Sequence, residues 1–249
     1  MQSFKSIVIT GASSGIGEAL ALDYAAPGIA LALSGRDAGR LEAVAAACRA
    51  KGAIVDAGLI DVVDLPALTD WLVKFDDAHP VDLVIANAGI SIDKDNSSLD
   101  DFSIVRKIFD VNVGGVLNTV EPLMGRMIGR KAGQIAIVSS LAGFVGLPYA
   151  ASYNASKAAV RVWGESIRYP LKKSGIGVSV VCPGFVVSRL TAQAPFPMPF
   201  LMPTRRASKI IRDGLARNKA RIAFPIPIKA AVWLGAVLPG SWTARLLGA

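Results

Sequence analysis

Ser140, Tyr153 and Lys157 are the residues whose types and spacing could best do chemistry in this chain. Tyr153 and Lys157 bound the run YNASK at 153–157, and at i and i+4 they share one face of a helix. An unperturbed tyrosine has a pKa of about 10, too high for a proton carrier at neutral pH. A neighbouring ammonium favours the tyrosinate and brings the phenol nearer to acid–base work. Ser140 stands at the end of an apolar run, thirteen residues before Tyr153, where its hydroxyl can hold a substrate oxygen beside the phenol. A Tyr and Lys four apart are also an ordinary surface pair on many helices. What decides between the two is the scaffold around them.

That scaffold alternates short apolar runs with helix-length stretches. Strands are expected at Ser6–Thr10, Ile29–Ser34, Ala53–Leu59, Leu83–Ala86, Gln134–Ser139 and Gly177–Cys182. Their continuous Val, Ile and Ala content predicts burial on both faces, as in a parallel sheet. Helices are expected near Gly15–Ala26, Asp37–Lys51, Asp64–Ala78, Leu99–Arg130 with an interruption, and Ala151–Lys173. Repeated βα units imply an α/β fold, a Rossmann-like doubly wound parallel sheet flanked by helices on both faces. Ligands bind such sheets at the carboxyl ends of the strands. Pro170 lacks an N–H and clashes with the preceding turn, so the last helix should kink or end near Tyr169. No linker is visible, and one domain over 1–249 is expected, with 191–249 as a variable lid and C-terminal segment.

The first strand runs into Thr10-Gly11-Ala12-Ser13-Ser14-Gly15-Ile16-Gly17 and then a helix. Glycines there permit a tight turn and close approach of the backbone to a pyrophosphate, and the helix aims free N–H groups at the anion. Three glycines at this spacing favour dinucleotide binding over a plain strand–helix turn. The second strand ends at Ser34-Gly35-Arg36-Asp37, where a carboxylate would bind a ribose 2′-hydroxyl and repel a 2′-phosphate. Ser34, with Arg36 close by and Ser13 near, suits the phosphate instead. NADP(H) is therefore favoured and NAD(H) left open; the plainer reading pairs Arg36 with Asp37 as solvated charges. Asp61 and Val62 follow the third strand, and Asn87, Ala88 and Gly89 the fourth, placing all five on the cofactor's side of the sheet.

Bulk composition narrows the classes. In 249 residues, 52% are hydrophobic and 18% charged, a globular balance with some apolar surface left for a subunit contact or lipid. Two cysteines rule out a disulfide scaffold and show no metal spacing, which fits a reducing, cytoplasmic location. The only histidine, His79, precedes Pro80 where a helix should stop, so histidine catalysis is not expected. No leader segment and no run of 18 apolar residues is seen. The net charge of +8 suits an anionic cofactor, and no nucleic-acid partner is expected because the basic residues do not interleave with aromatics.

Taken together, TGASSGIG at 10–17, Asp61-Val62, NAG at 87–89, Asn112, Ser140, YNASK at 153–157 and PGFVVS at 183–188 resemble the short-chain dehydrogenase/reductase family over about residues 5–190. The resemblance implies a hydride moved between nicotinamide and an alcohol or carbonyl carbon, with Asn112, Ser140, Tyr153 and Lys157 as the catalytic group. It implies that Asn112 kinks a helix and holds a water in a proton relay to Lys157. It also implies that Lys157 holds the nicotinamide ribose, and that Pro183, Gly184, Phe185, Val186 and Ser188 border the carboxamide. Ser188 stands where the family often has Thr. A homodimer or homotetramer is implied, along with a substrate lid over Thr191–Pro203.

Phe196, Met198, Phe200, Leu201 and Met202 suggest that this lid meets an apolar small-molecule substrate such as a ketone, aldehyde or 3-oxoacyl group; packing on its own domain is the alternative. Arg205, Arg206, Lys209, Arg212, Arg217, Lys219 and Arg221 form a basic run, read as a solvated helix face or a dock for an anionic carrier. The segment after it, with Phe224, Ile226, Ile228, Trp233, Leu234, Leu238, Trp242 and Leu246, would cover the pocket or a neighbouring subunit, or touch a membrane peripherally. A fold of this kind could also persist as a silent dinucleotide sensor or scaffold, against which the complete catalytic group argues.

Overall fold

The apolar runs form strands that pair in parallel, the inner ones buried under helices on both sides. In the computed structural model, which describes residues 2–91, 101–146, 150–192 and 198–237, β1 (Ser6–Thr10), β2 (Ala30–Gly35), β3 (Ile54–Leu59), β4 (Leu83–Ala86), β5 (Gln134–Val138) and β6 (Gly177–Pro183) match the expected strands to within a residue. A further strand, β7 (Arg221–Phe224), pairs with β6 and completes a seven-stranded sheet of order β3-β2-β1-β4-β5-β6-β7. That strand was not expected. Its four residues follow a basic stretch, and it forms by pairing with β6 from Val180 to Pro183 rather than from any periodicity of its own. Burial on both faces holds for the inner strands but not for β3, an edge strand where Ile54 and Leu59 are exposed.

Strand alternation sends Ile7 and Ile9 to one face of the sheet and Val8 to the other. The first face is covered by α1 (Gly15–Tyr24), α2 (Ala38–Ala50) and α8 (Thr204–Ala216) through Leu20, Leu41, Val44, Ile211 and Leu215. The second is covered by α3 (Leu65–Ala78), α5 (Gly115–Arg130) and α6 (Ala151–Lys173) through Leu68, Leu72, Val116, Leu123 and Val160. Asp37 and Asp64 cap α2 and α3, accepting from the N–H groups of Arg40 and Ala67. Asp76 ties α3 to α5. Burial works to raise its pKa, but hydrogen bonds from Arg130, the Val81 N–H and Arg126 hold the carboxyl below the usual carboxylate range.

The expected interruption before α5 is a single π-turn, Asp110–Gly114, joining α4 (Phe102–Phe109) to α5. Leu99, the expected start of this stretch, lies outside the described residues. The early end of α6 near Tyr169 is not found: the helix runs through Pro170 to Lys173. Tertiary contacts outweigh the proline. Leu171 is buried in the core, and Arg168 donates to Asn218 Oδ1 at 2.8 Å, to the Asn218 carbonyl at 2.9 Å and to the Val178 carbonyl.

Beyond β6, Arg189–Ala192 forms a short helix, α7, whose last two residues open the stretch expected as the lid. Met202 returns to pair with Val186 and is buried, so it packs into the domain; Phe200 and Leu201 stay exposed, and Phe196 lies outside the described residues. After β7, α9 (Ile226–Val237) lays Ile228 and Val232 on the 3₁₀ turn Leu141–Phe144. The basic helix α8 and the apolar α9 thus cover opposite faces of the sheet, not one amphipathic surface as their adjacency in sequence suggested. Leu238, Trp242 and Leu246 are outside the described residues. None of the described helices is long and apolar enough to cross a membrane.

Candidate active site

The glycine turn after β1 is a cradle that side chains would fill. Gly11 has φ +67°, and a Cβ there would meet the Ala88 Cα at 2.8 Å. A Cβ on Gly17 would lie 2.3 Å from the Gly11 carbonyl oxygen. Gly15 has φ +60° and faces Ser188. Asn87 locks the turn by donating through Nδ2 to the Thr10 and Gly11 carbonyls at 2.9 and 3.1 Å. The Thr10 hydroxyl accepts from the Asn87 and Ala88 N–H groups in return. Ser14 occupies the N-cap position of α1, but its side chain caps nothing, which leaves the amides of Gly15, Ile16 and Gly17 able to meet an anion. The residues present therefore fit a dinucleotide pyrophosphate.

At the next strand end the geometry corrects two expectations. β2 runs on to Gly35 and Ser34 is wholly buried, so Ser34 is not the residue a ribose would meet. The first exposed side chain there is Arg36, and it pairs with Asp61 at 3.7 Å, not with Asp37. Asp37 is occupied by Arg40 at 2.8 Å and by capping α2. Ser13 lies against this strand end, 3.0 Å from where a Gly35 Cβ would sit. Val62 is buried on Gly115, and its carbonyl accepts from Asn118 Nδ2 at 2.9 Å.

The third part of the site is a buried polar network. Asn112, in the π-turn, has no exposed surface. Its Oδ1 accepts from the Ile90 N–H at 2.8 Å, and its Nδ2 donates to the Ile90 carbonyl at 2.9 Å and to Ser156 Oγ at 3.0 Å. Both amide hydrogens are committed, so a proton relay could use only the remaining lone pair of Oδ1. Ser156 donates onward to the Tyr153 carbonyl at 2.8 Å. Lys157 Nζ donates to the Val138 carbonyl at 3.0 Å and stands 5.8 Å from the centre of the Tyr153 ring. Gly89 sits between Asn112 and Lys157: a Cβ on it would lie 3.2 Å from both Asn112 Oδ1 and Lys157 Nζ.

The electrostatics differ from the sequence argument. Burial holds the Lys157 ammonium down to about 8. Burial also raises the Tyr153 phenol above its ordinary value, and a hydrogen bond with Ser140 pulls it part of the way back. Both groups thus stand beside the phenol, the Ser140 hydroxyl by hydrogen bond and the Lys157 ammonium over the ring. Ser140 Oγ also accepts from the Ala142 N–H at 3.1 Å and reaches the Pro183 carbonyl at 3.4 Å.

Several residues that hold this arrangement were not singled out from sequence. Ser139 Oγ donates to the Lys157 carbonyl at 2.7 Å. A Cβ on Gly143 would come within 2.7 Å of the Lys157 backbone, so only glycine lets the turn after Ser140 press on α6. Thr191 folds the segment after β6: its hydroxyl accepts from the Ser188 N–H at 2.9 Å and donates to the Val186 carbonyl at 2.9 Å. Gly184 donates its N–H to the Phe224 carbonyl at 2.7 Å, and the Met202 N–H donates to the Phe185 carbonyl at 3.0 Å. A Ser or Thr three or four residues from a motif residue was the available signal for Ser156 and Thr191. Ser139 and Gly143 show none without the fold.

Comparison with known proteins bears on this geometry directly. The short chain dehydrogenase family profile matches residues 5–196, which span the glycine turn, the catalytic candidates and the Pro183–Ser188 turn. The chain belongs to that family. As a short-chain dehydrogenase it is an oxidoreductase acting on CH–OH groups with a nicotinamide dinucleotide. An oxidoreductase of Myxococcus xanthus is 38% identical over 238 residues, covering 95% of this chain and 94% of that one. A short-chain dehydrogenase/reductase of Burkholderia phymatum, solved with NAD, superposes with a TM-score of 0.82 at 28% identity, covering 92% of each chain. One from Sphingobium yanoikuyae, solved with NADPH, shares the fold with a TM-score of 0.78 at 24% identity over 95% of this chain and 97% of that one.

Proposed function

We propose that this short-chain dehydrogenase is an NADP(H)-dependent reductase of apolar ketones, aldehydes or 3-oxoacyl groups, with Tyr153 as proton donor. The observation that carries the reading is the meeting of Tyr153 and the buried Lys157 at the rim of the sheet, with Nζ 5.8 Å from the phenol ring and donating to the Val138 carbonyl at 3.0 Å, beside the strand end that carries Ser140. A phenol raised by burial is protonated at neutral pH, which is the state reduction needs. When bound, the nicotinamide supplies the hydride in reduction and accepts it in oxidation.

The chain's own groups do the rest. The Ser140 hydroxyl and the Tyr153 phenol hold and polarise the carbonyl oxygen, and the phenol passes its proton to that oxygen as it becomes an alkoxide. Lys157 holds the nicotinamide ribose, and Asn112 keeps the Lys157 amine and the Ile90 backbone in register. Gly11 and Ser13–Gly17 hold the pyrophosphate. Asp61, Val62, Asn87, Ala88 and Gly89 line the adenosine side, and Pro183, Gly184, Val186 and Ser188 border the carboxamide. Arg36, with Ser13 near it, faces a 2′-phosphate, in competition with its contact to Asp61.

The apolar substrate class rests on Val187, Leu190, Phe200 and Leu201, all exposed in the segment that follows the carboxamide turn. A homodimer or homotetramer is supported by exposed apolar side chains on α5 and α6, among them Leu117, Ile128, Val162 and Tyr169. The function is tested by following NADPH and NADH oxidation against ketones, aldehydes and 3-oxoacyl thioesters of rising chain length. The expected result is higher kcat/KM with NADPH and with longer apolar chains. A preference for NADH, or for small polar carbonyls, contradicts it.

A further inference from the structure

The region after β6 carries charge toward the glycine turn. A cavity of about 590 Å³ runs along the outer side of α1. At one end its walls are Ser13, Ser14 and Gly15, the residues around the bare N-terminus of α1. Its lining also includes Arg189, the first residue of α7, and Arg205, in the first turn of α8. The closeness is set by Ser188, which lies 3.1 Å from where a Gly15 Cβ would sit, with Arg189 the next residue in the chain.

The cations lining this cavity are not equivalent. Arg40 is held by Asp37 at 2.8 Å, and Lys51 donates to the Leu22 carbonyl at 2.6 Å. Arg189 and Arg205 have no ion pair with any described residue. The carboxylates on the same wall are Glu18 and Asp23, and Asp23 accepts from Ser208 Oγ at 2.7 Å. Two guanidinium groups without an ion pair to a described residue therefore line the cavity that opens at the amides that fit an anion, on elements that the cofactor motifs do not include.

We propose that Arg189 and Arg205 clamp the pyrophosphate of the bound dinucleotide from the side opposite α1. Guanidinium forks match phosphate oxygens, and the helix amides supply the other face. The inference rests on the dinucleotide site proposed above and deepens it. It makes part of the basic run a cofactor contact, and it assigns these arginines to the phosphates common to NADH and NADPH, leaving the 2′-phosphate to Arg36.

The test is a binding titration of the full chain, read by fluorescence or calorimetry, with NADPH, NADH, ADP-ribose and 2′-AMP. ADP-ribose has the pyrophosphate without the 2′-phosphate, and 2′-AMP the reverse. Arg189→Gln and Arg205→Gln should each weaken NADPH, NADH and ADP-ribose alike, about three- to tenfold, and leave 2′-AMP unchanged. The double variant should lose more than either single, and Arg189→Lys should recover part of the loss. Raising the salt should shrink the difference from wild type. Unchanged melting temperatures would show that the exposed substitutions leave the fold intact. Equal ADP-ribose affinity in wild type and the double variant overturns the clamp, as does a loss confined to NADPH and 2′-AMP. Failure of the wild-type chain to bind NADPH, NADH or ADP-ribose would instead sink the underlying cofactor reading.

Discussion

At one end of the strand-rim site, Asn112, Ser140 and Lys157 are buried, and hydrogen bonds run from Asn112 in the π-turn through Ser156 to the Tyr153 carbonyl in α6. At the other end, Arg36 and Asp61 meet across 3.7 Å with side chains 53% and 37% exposed. The buried end has little freedom, since each group is positioned by backbone carbonyls or N–H groups that would otherwise be left unpaired. The exposed end is two screened charges that a few side-chain rotations would part. In the proposed function the reacting groups thus belong to the core, whereas the choice of cofactor belongs to the surface. The first should resist salt and tolerate almost no substitution, and the second should respond to both.

The largest expected effect is at the buried end. Tyr153→Phe should lower turnover by about 10²- to 10⁴-fold, the usual worth of a general acid, while NADPH binding by titration stays within about threefold. Asn112→Ala should come next. It leaves the Ile90 N–H and carbonyl without their partner in the interior, so the chain should lose about 2–4 kcal/mol in chemical denaturation.

Lys157→Met sharpens the comparison, because it should stabilise the cofactor-free chain while removing activity. Burial depresses the amine from 10.5 to about 8, so the cost of the buried charge is fully present below pH 8, falls as pH rises, and is gone above 10.5. After allowing for the lost bond to the Val138 carbonyl, the variant should gain about 2 kcal/mol at pH 7. That gain should fade toward pH 10 in melting experiments. A gain that grew with pH would have the wrong sign.

Arg36→Gln should have the smallest effect, about a tenfold loss of NADPH affinity with NADH held within about twofold, and raised salt should narrow the gap in the wild type. Equal losses for both cofactors would make the exposed end a general anchor and erase the contrast with the core.

The same division explains what could be read from residues alone. The inner strands were legible because continuous Val, Ile and Ala runs have little alternative to a doubly covered sheet. The proposed catalytic group stands out in the sequence because Tyr153 and Lys157 keep a fixed helical offset and follow the strand end at Ser140. β7 was not, since Arg221–Phe224 is too short to show a period and owes its form to β6. Pro170 misled because the local penalty was visible while the anchoring of Arg168 and Leu171 was not. The plainer alternative for Arg36 named Asp37, which is adjacent in sequence, whereas Asp61 is adjacent in space. Ser34 was taken for a contact residue because the strand end was set one position early.

The proton carried by Tyr153 is most directly tested by the pH dependence of kcat/KM in both directions, in wild type and in Tyr153→Phe. Because burial raises the phenol, carbonyl reduction should stay level through neutral pH and fall on the alkaline side as the proton is lost, while alcohol oxidation should rise over the same range. The residual activity of Tyr153→Phe should lack both limbs. An alkaline limb that persists unchanged in that variant would assign the proton to another group and contradict the mechanism.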